Sequence, residues 1–181
     1  MPGVAVTTII RGPRPPEVQA WLEGRRRAGL DRRDEVWEGA YVVAPDPHSN
    51  HGRTQLGVAA LLLAAGRRLG LHATATFNLG RPDDFRIPDG GLLRAPAAVW
   101  HDTAELVVEV LSPDDDTSLK LDFYRAHGVR EVLLLDWRSR EVVVLDLLAG
   151  HAARPDSAVL GMTDRQVADA VDWPPLDEDD R

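Results

Sequence analysis

The chain has 181 residues, a formal net charge of -8 and no cysteine. That length fits one domain with a real core, and the lack of cysteine excludes both a disulfide framework and a thiolate metal site. The acidic balance counts against a general polyanion binder, because counterion release favours basic surfaces.

No apolar run is long enough to span a bilayer. The opening MPGVAVTTIIRGPRPPEVQ lacks the basic leader, apolar centre and cleavage site of a signal peptide, so a cytoplasmic protein is expected. Residues 1–15 are rich in proline and read as a flexible arm. PEVQAWLEGRRRAG then makes a short helix, with Pro16 in its first turn and Gly29 as its stop. Five arginines crowd this region, Arg25, Arg26, Arg27, Arg32 and Arg33. They form either a solvated helix face or a patch that faces phosphate. DEVWEGAYVVAPDP reads as a hairpin with Glu38 and Gly39 near the turn. HSNHGRTQLGVAALLLAAGRRLGL is the clearest helix: Ser49 or Asn50 caps it, Leu56, Ala59, Ala60, Leu63 and Leu69 supply its apolar face, and Gly70 ends it.

Strands follow. HATATFNLG alternates, and DDFRIPDGGLLRA leads from a strand into Pro-Asp-Gly-Gly. ELVVEVLS has the β-branched run of a strand at the centre of a sheet. SPDDDTSLKLDFYRAHG is a capped helix stopped by Gly128, with Ser112, Asp114, Asp115 and Asp116 as capping residues. VREVLLLDW and REVVVLDLLAG pair across a turn at Arg138 and Ser139. The expected class is α/β (α+β), a mixed sheet flanked by helices, with one domain over residues 16–165 and an acidic tail over 166–181.

One residue in this pattern demands a partner. Glu109 sits inside the apolar strand, where a lone carboxylate is costly. Asp89, on the neighbouring strand-like segment, can lie beside it. Two close acids repel unless a cation sits between them. Mg²⁺ or Mn²⁺ would answer this, since a hard divalent cation takes oxygen ligands and keeps several waters. Lys120, about one turn into the next helix, can reach the same point and stabilise negative charge on a phosphate. Plainer readings exist for each residue. Asp89 is also a turn residue, Glu109 can pair with an arginine, and Lys120 can pair with Asp116.

Taken together these pieces resemble the PD-(D/E)XK nuclease superfamily and, more closely, the Uma-two family of restriction endonucleases. DEVWEGAYVVAP resembles the family's opening E-x-x-D-G segment, with Glu35 and Gly39 in place and Glu38 where aspartate is usual. His51 matches the histidine that begins its first core helix. IPDGG carries the P-D motif at Asp89, and LVVEVLSPDDD the E-V-x-S-P ending at Glu109, Ser112 and Pro113. KLDFYRAHGVREVLLLD matches at Lys120, Tyr124, Gly128, Val129, Glu131 and Asp136. The resemblance spans roughly residues 30–150.

It implies an α-β-β-β-α-β restriction-endonuclease-like core and metal-dependent phosphodiester hydrolysis in DNA. Asp89 and Glu109 would hold Mg²⁺ or Mn²⁺, and Lys120 would be the catalytic lysine. Glu35, His51 and Tyr124 would be auxiliary, with Tyr124 orienting Lys120 or packing on the sheet. The superfamily's usual lysine lies two residues after the glutamate, where this chain has Leu111. A lysine from the following helix takes that place in this family, and Lys120 fits. Gly90 and Gly91 would let the backbone approach a phosphate, or simply make the turn. A homodimer is expected, with EVVVLDLL as an apolar edge for its interface. No organic cofactor or membrane contact is expected. The rivals are a nuclease fold that binds without turnover and a hydrolase of small phosphate esters.

Overall fold

The computed structural model describes residues 7–95, 99–112 and 117–176. Its elements run β1 (Thr8–Ile10), α1 (Pro16–Arg27), β2 (Glu35–Trp37), β3 (Ala40–Val43), α2 (Ser49–Leu69), β4 (His72–Thr74), β5 (Asn78–Arg81), β6 (Asp84–Arg86), β7 (Gly90–Leu93), β8 (Trp100–His101), β9 (Leu106–Val110), α3 (Thr117–Ala126), β10 (Glu131–Asp136), β11 (Glu141–Asp146), β12 (Ala152–Arg154), β13 (Asp156–Ser157), β14 (Met162–Thr163) and α4 (Asp164–Ala170).

The β-branched run makes the centre, as expected: all five residues of β9 are buried. Around it the sheet order is β12-β11-β10-β9-β7-β4. β4, β7 and β9 are antiparallel, whereas β9 and β10 are parallel. A parallel pair needs a crossover, and α3 supplies it. The order α2, β4, β7, β9, α3, β10 is the helix, three strands, helix, strand of the expected nuclease core. A second sheet, β1-β3-β2-β6-β5-β8, takes the strands before and beside it. HATATFNLG is therefore divided, with β4 in one sheet and β5 in the other. The β2–β3 hairpin turns on Glu38 at φ 49° and Gly39 at φ 82°, the positive pair that a tight hairpin turn requires.

Alternation along β9 decides what the site faces. Leu106, Val108 and Val110 enter the core cluster with Val58 and Leu62 of α2. Val107 enters the opposite cluster with Phe123 and Tyr124 of α3. Glu109 shares the side of Val107 and is turned toward α3.

Several expectations are corrected. The buried face of α2 is His51, Thr54, Gly57, Val58, Leu62, Ala65 and Gly66. Leu56 and Leu63, expected inside, are 75% and 50% exposed. Close backbone packing explains the choice: a Cβ on Gly57 would lie 2.5 Å from the Asp172 carbonyl oxygen. Only a face lined with small residues admits that approach. The α2 cap is His48, whose ring accepts a hydrogen bond from Asn50 N, rather than Ser49 or Asn50. Gly90 and Gly91 are buried strand residues, not a turn or a phosphate cradle. A Cβ on Gly91 would meet the Leu106 carbonyl oxygen at 2.7 Å. Within EVVVLDLL, β12 covers the edge of β11 at Val144, Leu145 and Asp146.

At the two ends the chain is packed where the sequence reads as loose. Within the arm, Thr8–Ile10 pairs with β3. Past residue 165, Val167 and Val171 are buried in the core, and Trp173 and Leu176 pack against it. The acidic residues 177–181 lie outside the described residues. Among the described residues no helix is long and apolar enough to cross a membrane.

Candidate active site

Asp89 sits at the entrance of β7, where the sheet grips it. Its N–H donates to the Val108 carbonyl at 3.0 Å, and its Oδ2 accepts from Val110 N at 2.8 Å. Its Oδ1 meets His51 Nε2 at 3.0 Å and Gln55 Nε2 at 2.6 Å. His51 and Gln55 are four residues apart on α2, hence on one face. Ser112 Oγ lies 3.5 Å from His51 Nδ1. His51 is thus a partner of Asp89, while His48 caps the helix. The capping expected of Asp114, Asp115 and Asp116, and the Pro113 match, fall outside the described residues.

Glu109, 4% exposed, finds its partners on α3. Lys120 and Tyr124 are again four residues apart and share a face. The Tyr124 hydroxyl donates to Glu109 Oε1. Lys120 Nζ lies 3.5 Å from Glu109 Oε1 and 3.2 Å from Glu35 Oε1. The partner of Glu109 is therefore a lysine, not an arginine. Lys120 is paired with Glu109 and Glu35; Asp116 lies outside the described residues. Tyr124 both packs, fully buried, and bonds to Glu109. Glu35 comes from the other sheet. Ile87 N donates to its Oε1 at 2.7 Å and Trp37 Nε1 to its Oε2 at 2.5 Å.

All six sequence candidates therefore converge: Glu35, His51, Asp89, Glu109, Lys120 and Tyr124. Sequence reasoning missed Gln55. The signal was its four-residue spacing from His51, which puts both on the face that meets Asp89.

Three carboxylates now surround one ammonium. Burial pushes the Glu109 carboxyl up to about 8, and the charges of Asp89 and Glu35 add to that, against Lys120 and the Tyr124 hydrogen bond. Burial disfavours the Lys120 ammonium, but Glu109, Glu35 and Asp89 outweigh it and hold Lys120 protonated above its ordinary range. Burial and then the Glu109 charge push the Tyr124 hydroxyl well up. Such a site is short of positive charge. Among the described residues no group of three or more His, Asp or Glu side chains is placed to hold a metal ion. The donor chemistry still fits a hard divalent cation: two carboxylates on adjacent strands, with water for the remaining positions.

The Uma2 family model, described as "Putative restriction endonuclease", matches residues 17–171. The chain belongs to the Uma2 family. A crystal structure from Anabaena variabilis, described as "a putative nuclease belonging to DUF820", is similar in fold: TM-score 0.62 at 17% identity, over 76% of this chain and 90% of that one. No curated protein matches the sequence. Uma2 membership supports nuclease function, and the likeness in fold agrees with a nuclease core.

Proposed function

We propose that this Uma2 chain is a divalent-cation-dependent endonuclease that hydrolyses phosphodiester bonds in DNA. The observation that carries the reading is Lys120, held between Glu109 and Glu35 while Asp89, just before β7, bonds to Val108 and Val110 on either side of Glu109. Asp89 and Glu109 would hold Mg²⁺ or Mn²⁺. When bound, such an ion supplies Lewis-acid stabilisation of the phosphate and a lowered pKa for the attacking water.

The chain's own residues do the rest. His51 and Gln55 fix the orientation of the Asp89 carboxylate. Tyr124 fixes Glu109. Lys120, kept protonated, is poised to stabilise the negative charge that grows on the phosphate oxygens. Glu35 holds the ammonium from the far side, so that Lys120 stays at the mouth of the site. Cutting both strands of a duplex calls for two such sites, and we propose a homodimer, which sedimentation over a concentration series would test.

The deciding experiment is calorimetric titration of Mg²⁺ and Mn²⁺ into the wild type and Asp89→Ala, followed by incubation of each with plasmid and single-stranded DNA. Metal binding that the variant loses, with cutting by the wild type alone, is the expected result. Binding without cutting would favour the silent module or the small-ester hydrolase. No binding at all would leave Glu109 and Lys120 as a buried ion pair.

A further inference from the structure

A cleft of 430 Å³ has Arg25, Arg32 and Arg33 on one wall and residues 44–46 on the other. Asp46 is the one acid that lines it. On a chain of net charge -8, three guanidinium groups at one cleft stand out.

They are not equivalent. Arg25 is engaged, lying 3.0 Å from Asp34 Oδ1 and donating to the Leu30 carbonyl at 2.8 Å. Arg32 and Arg33 are exposed, and neither has a carboxylate within ion-pair distance among the described residues. Their cleft is also preorganised. Asp34 is buried and accepts from Arg25, from the Tyr41 hydroxyl at 2.9 Å and from Ala44 N at 3.1 Å. One carboxylate thus ties both walls together. Gly29, at φ +68°, has no side chain where the Arg32 guanidinium passes, 3.8 Å from the site of a Cβ.

Both walls continue along the chain to residues of the candidate site. Arg32 and Arg33 precede Glu35 by three and two residues, so their α-carbons lie within about 11 Å of it. The other wall runs from Asp46 through the cap His48 to His51. Successive phosphates of one strand rise about 3.4 Å each along the duplex axis, so a contact at this distance falls within a few nucleotides of the site. A guanidinium is the side chain best shaped to grip a phosphate through two parallel hydrogen bonds.

We propose that Arg32 and Arg33 at this cleft each bind a backbone phosphate of the DNA strand, a few nucleotides from the scissile bond. This rests on the nuclease reading and adds where the polymer runs. It also reconciles an acidic chain with an anionic substrate, because contact is confined to one basic cleft.

The test compares the wild type, Arg33→Gln and Arg32→Gln/Arg33→Gln. Binding of a labelled duplex is measured by fluorescence anisotropy across a salt series, in the Asp89→Ala background so that nothing is cut. Turnover of bis(p-nitrophenyl) phosphate with Mn²⁺, in the otherwise wild-type chain, reports the centre without a polymer. The expected result is about tenfold weaker duplex binding in the double variant, with a salt slope shallower by about 2 and by about 1 in the single variant. Small-diester turnover should stay that of the wild type, since that substrate carries no flanking phosphate. Unchanged affinity and slope would overturn the cleft. So would absence of duplex binding by the parent, or equal loss of both readouts. Failure of the nuclease reading looks different: the wild type would then turn over neither DNA nor the diester, while the salt slopes still report on the arginines.

Discussion

Glu109 and Glu131 are both buried carboxylates on neighbouring parallel strands, 4% and 5% exposed. Their surroundings are opposite. Glu131 accepts from the Ser157 hydroxyl at 2.5 Å, from Ala158 N at 2.8 Å and from Val159 N at 3.2 Å. Those are neutral donors, and they tie the 157–160 turn to the sheet. Glu109 faces a cation, a phenol and two further carboxylates. The first arrangement satisfies a charge. The second holds a charge in suspense, which is how sites that bind cations or move protons are built. Burial alone therefore does not separate a structural carboxylate from a functional one; the identity of its neighbours does.

Exchanging each for glutamine is the strongest way to break this contrast. Glu109→Gln should lower kcat for DNA cutting by roughly 10³-fold or more. Its melting temperature should not fall, because a neutral amide replaces a desolvated, repelled carboxyl. Glu131→Gln should do the reverse, losing about 2 kcal/mol of stability through its lost charge-assisted bonds, with kcat of the folded enzyme intact. Denaturant melts and initial rates on both variants would decide it, and a swap of the two phenotypes would end the comparison.

Next in size, Lys120→Met should cost about 10²-fold in kcat. It should also raise the Glu109 pKa further, since Lys120 is the charge that most opposes burial there. A kcat within error of the wild type would make Lys120 a purely structural counter-ion.

Proton linkage sharpens the same point. Burial pushes the Glu109 carboxyl from its ordinary 4.5 up to about 8 in the folded chain. The folded state favours its neutral form, so ionising it costs stability progressively as pH rises from about 4.5 to about 8. A cation needs the carboxylate and must displace that proton. Affinity for Mn²⁺ should fall about tenfold per unit of pH below about 8. Calorimetry in buffers of different ionisation enthalpy should find about one proton released per ion at pH 7 in the wild type and none in Glu109→Gln. Equal proton release in both would assign the proton elsewhere. The smallest effect is expected of Tyr124→Phe. It removes a hydrogen bond that lowers the Glu109 pKa, so the midpoint of that affinity profile should move upward, with about 1 kcal/mol of stability lost.

Asp89, Glu109 and Lys120 were legible in the sequence because each sits in a segment of strong local character: a Pro-Asp turn, a β-branched run and a helix with a glycine stop. Gln55 was not, since a glutamine beside an apolar run signals nothing until His51 is known to face the sheet. The face of α2 was misread for a related reason. Leu56, Ala59, Ala60 and Leu63 share helical spacing with the true face, and hydrophobicity alone prefers leucines to Gly57 and Thr54. What decided the matter is the backbone of residue 172, far along the chain. The second sheet escaped for the same cause, because nothing within HATATFNLG says that β4 and β5 part company.

The bringing together of Glu35, His51, Asp89, Glu109 and Lys120 also bears on how the molecule comes into being. These residues span 85 positions of the chain and come from both sheets and two helices. Asp89 and Glu109 flank one antiparallel strand pair, but Glu35 and His51 arrive from far earlier in the chain. Loop closures of this length delay the assembly of non-local contacts. In a refolding time course, helical signal should therefore precede recovery of cation binding. On the proposed nuclease reading, a nascent or half-folded chain would be inert, and cutting competence would arrive only with the finished fold.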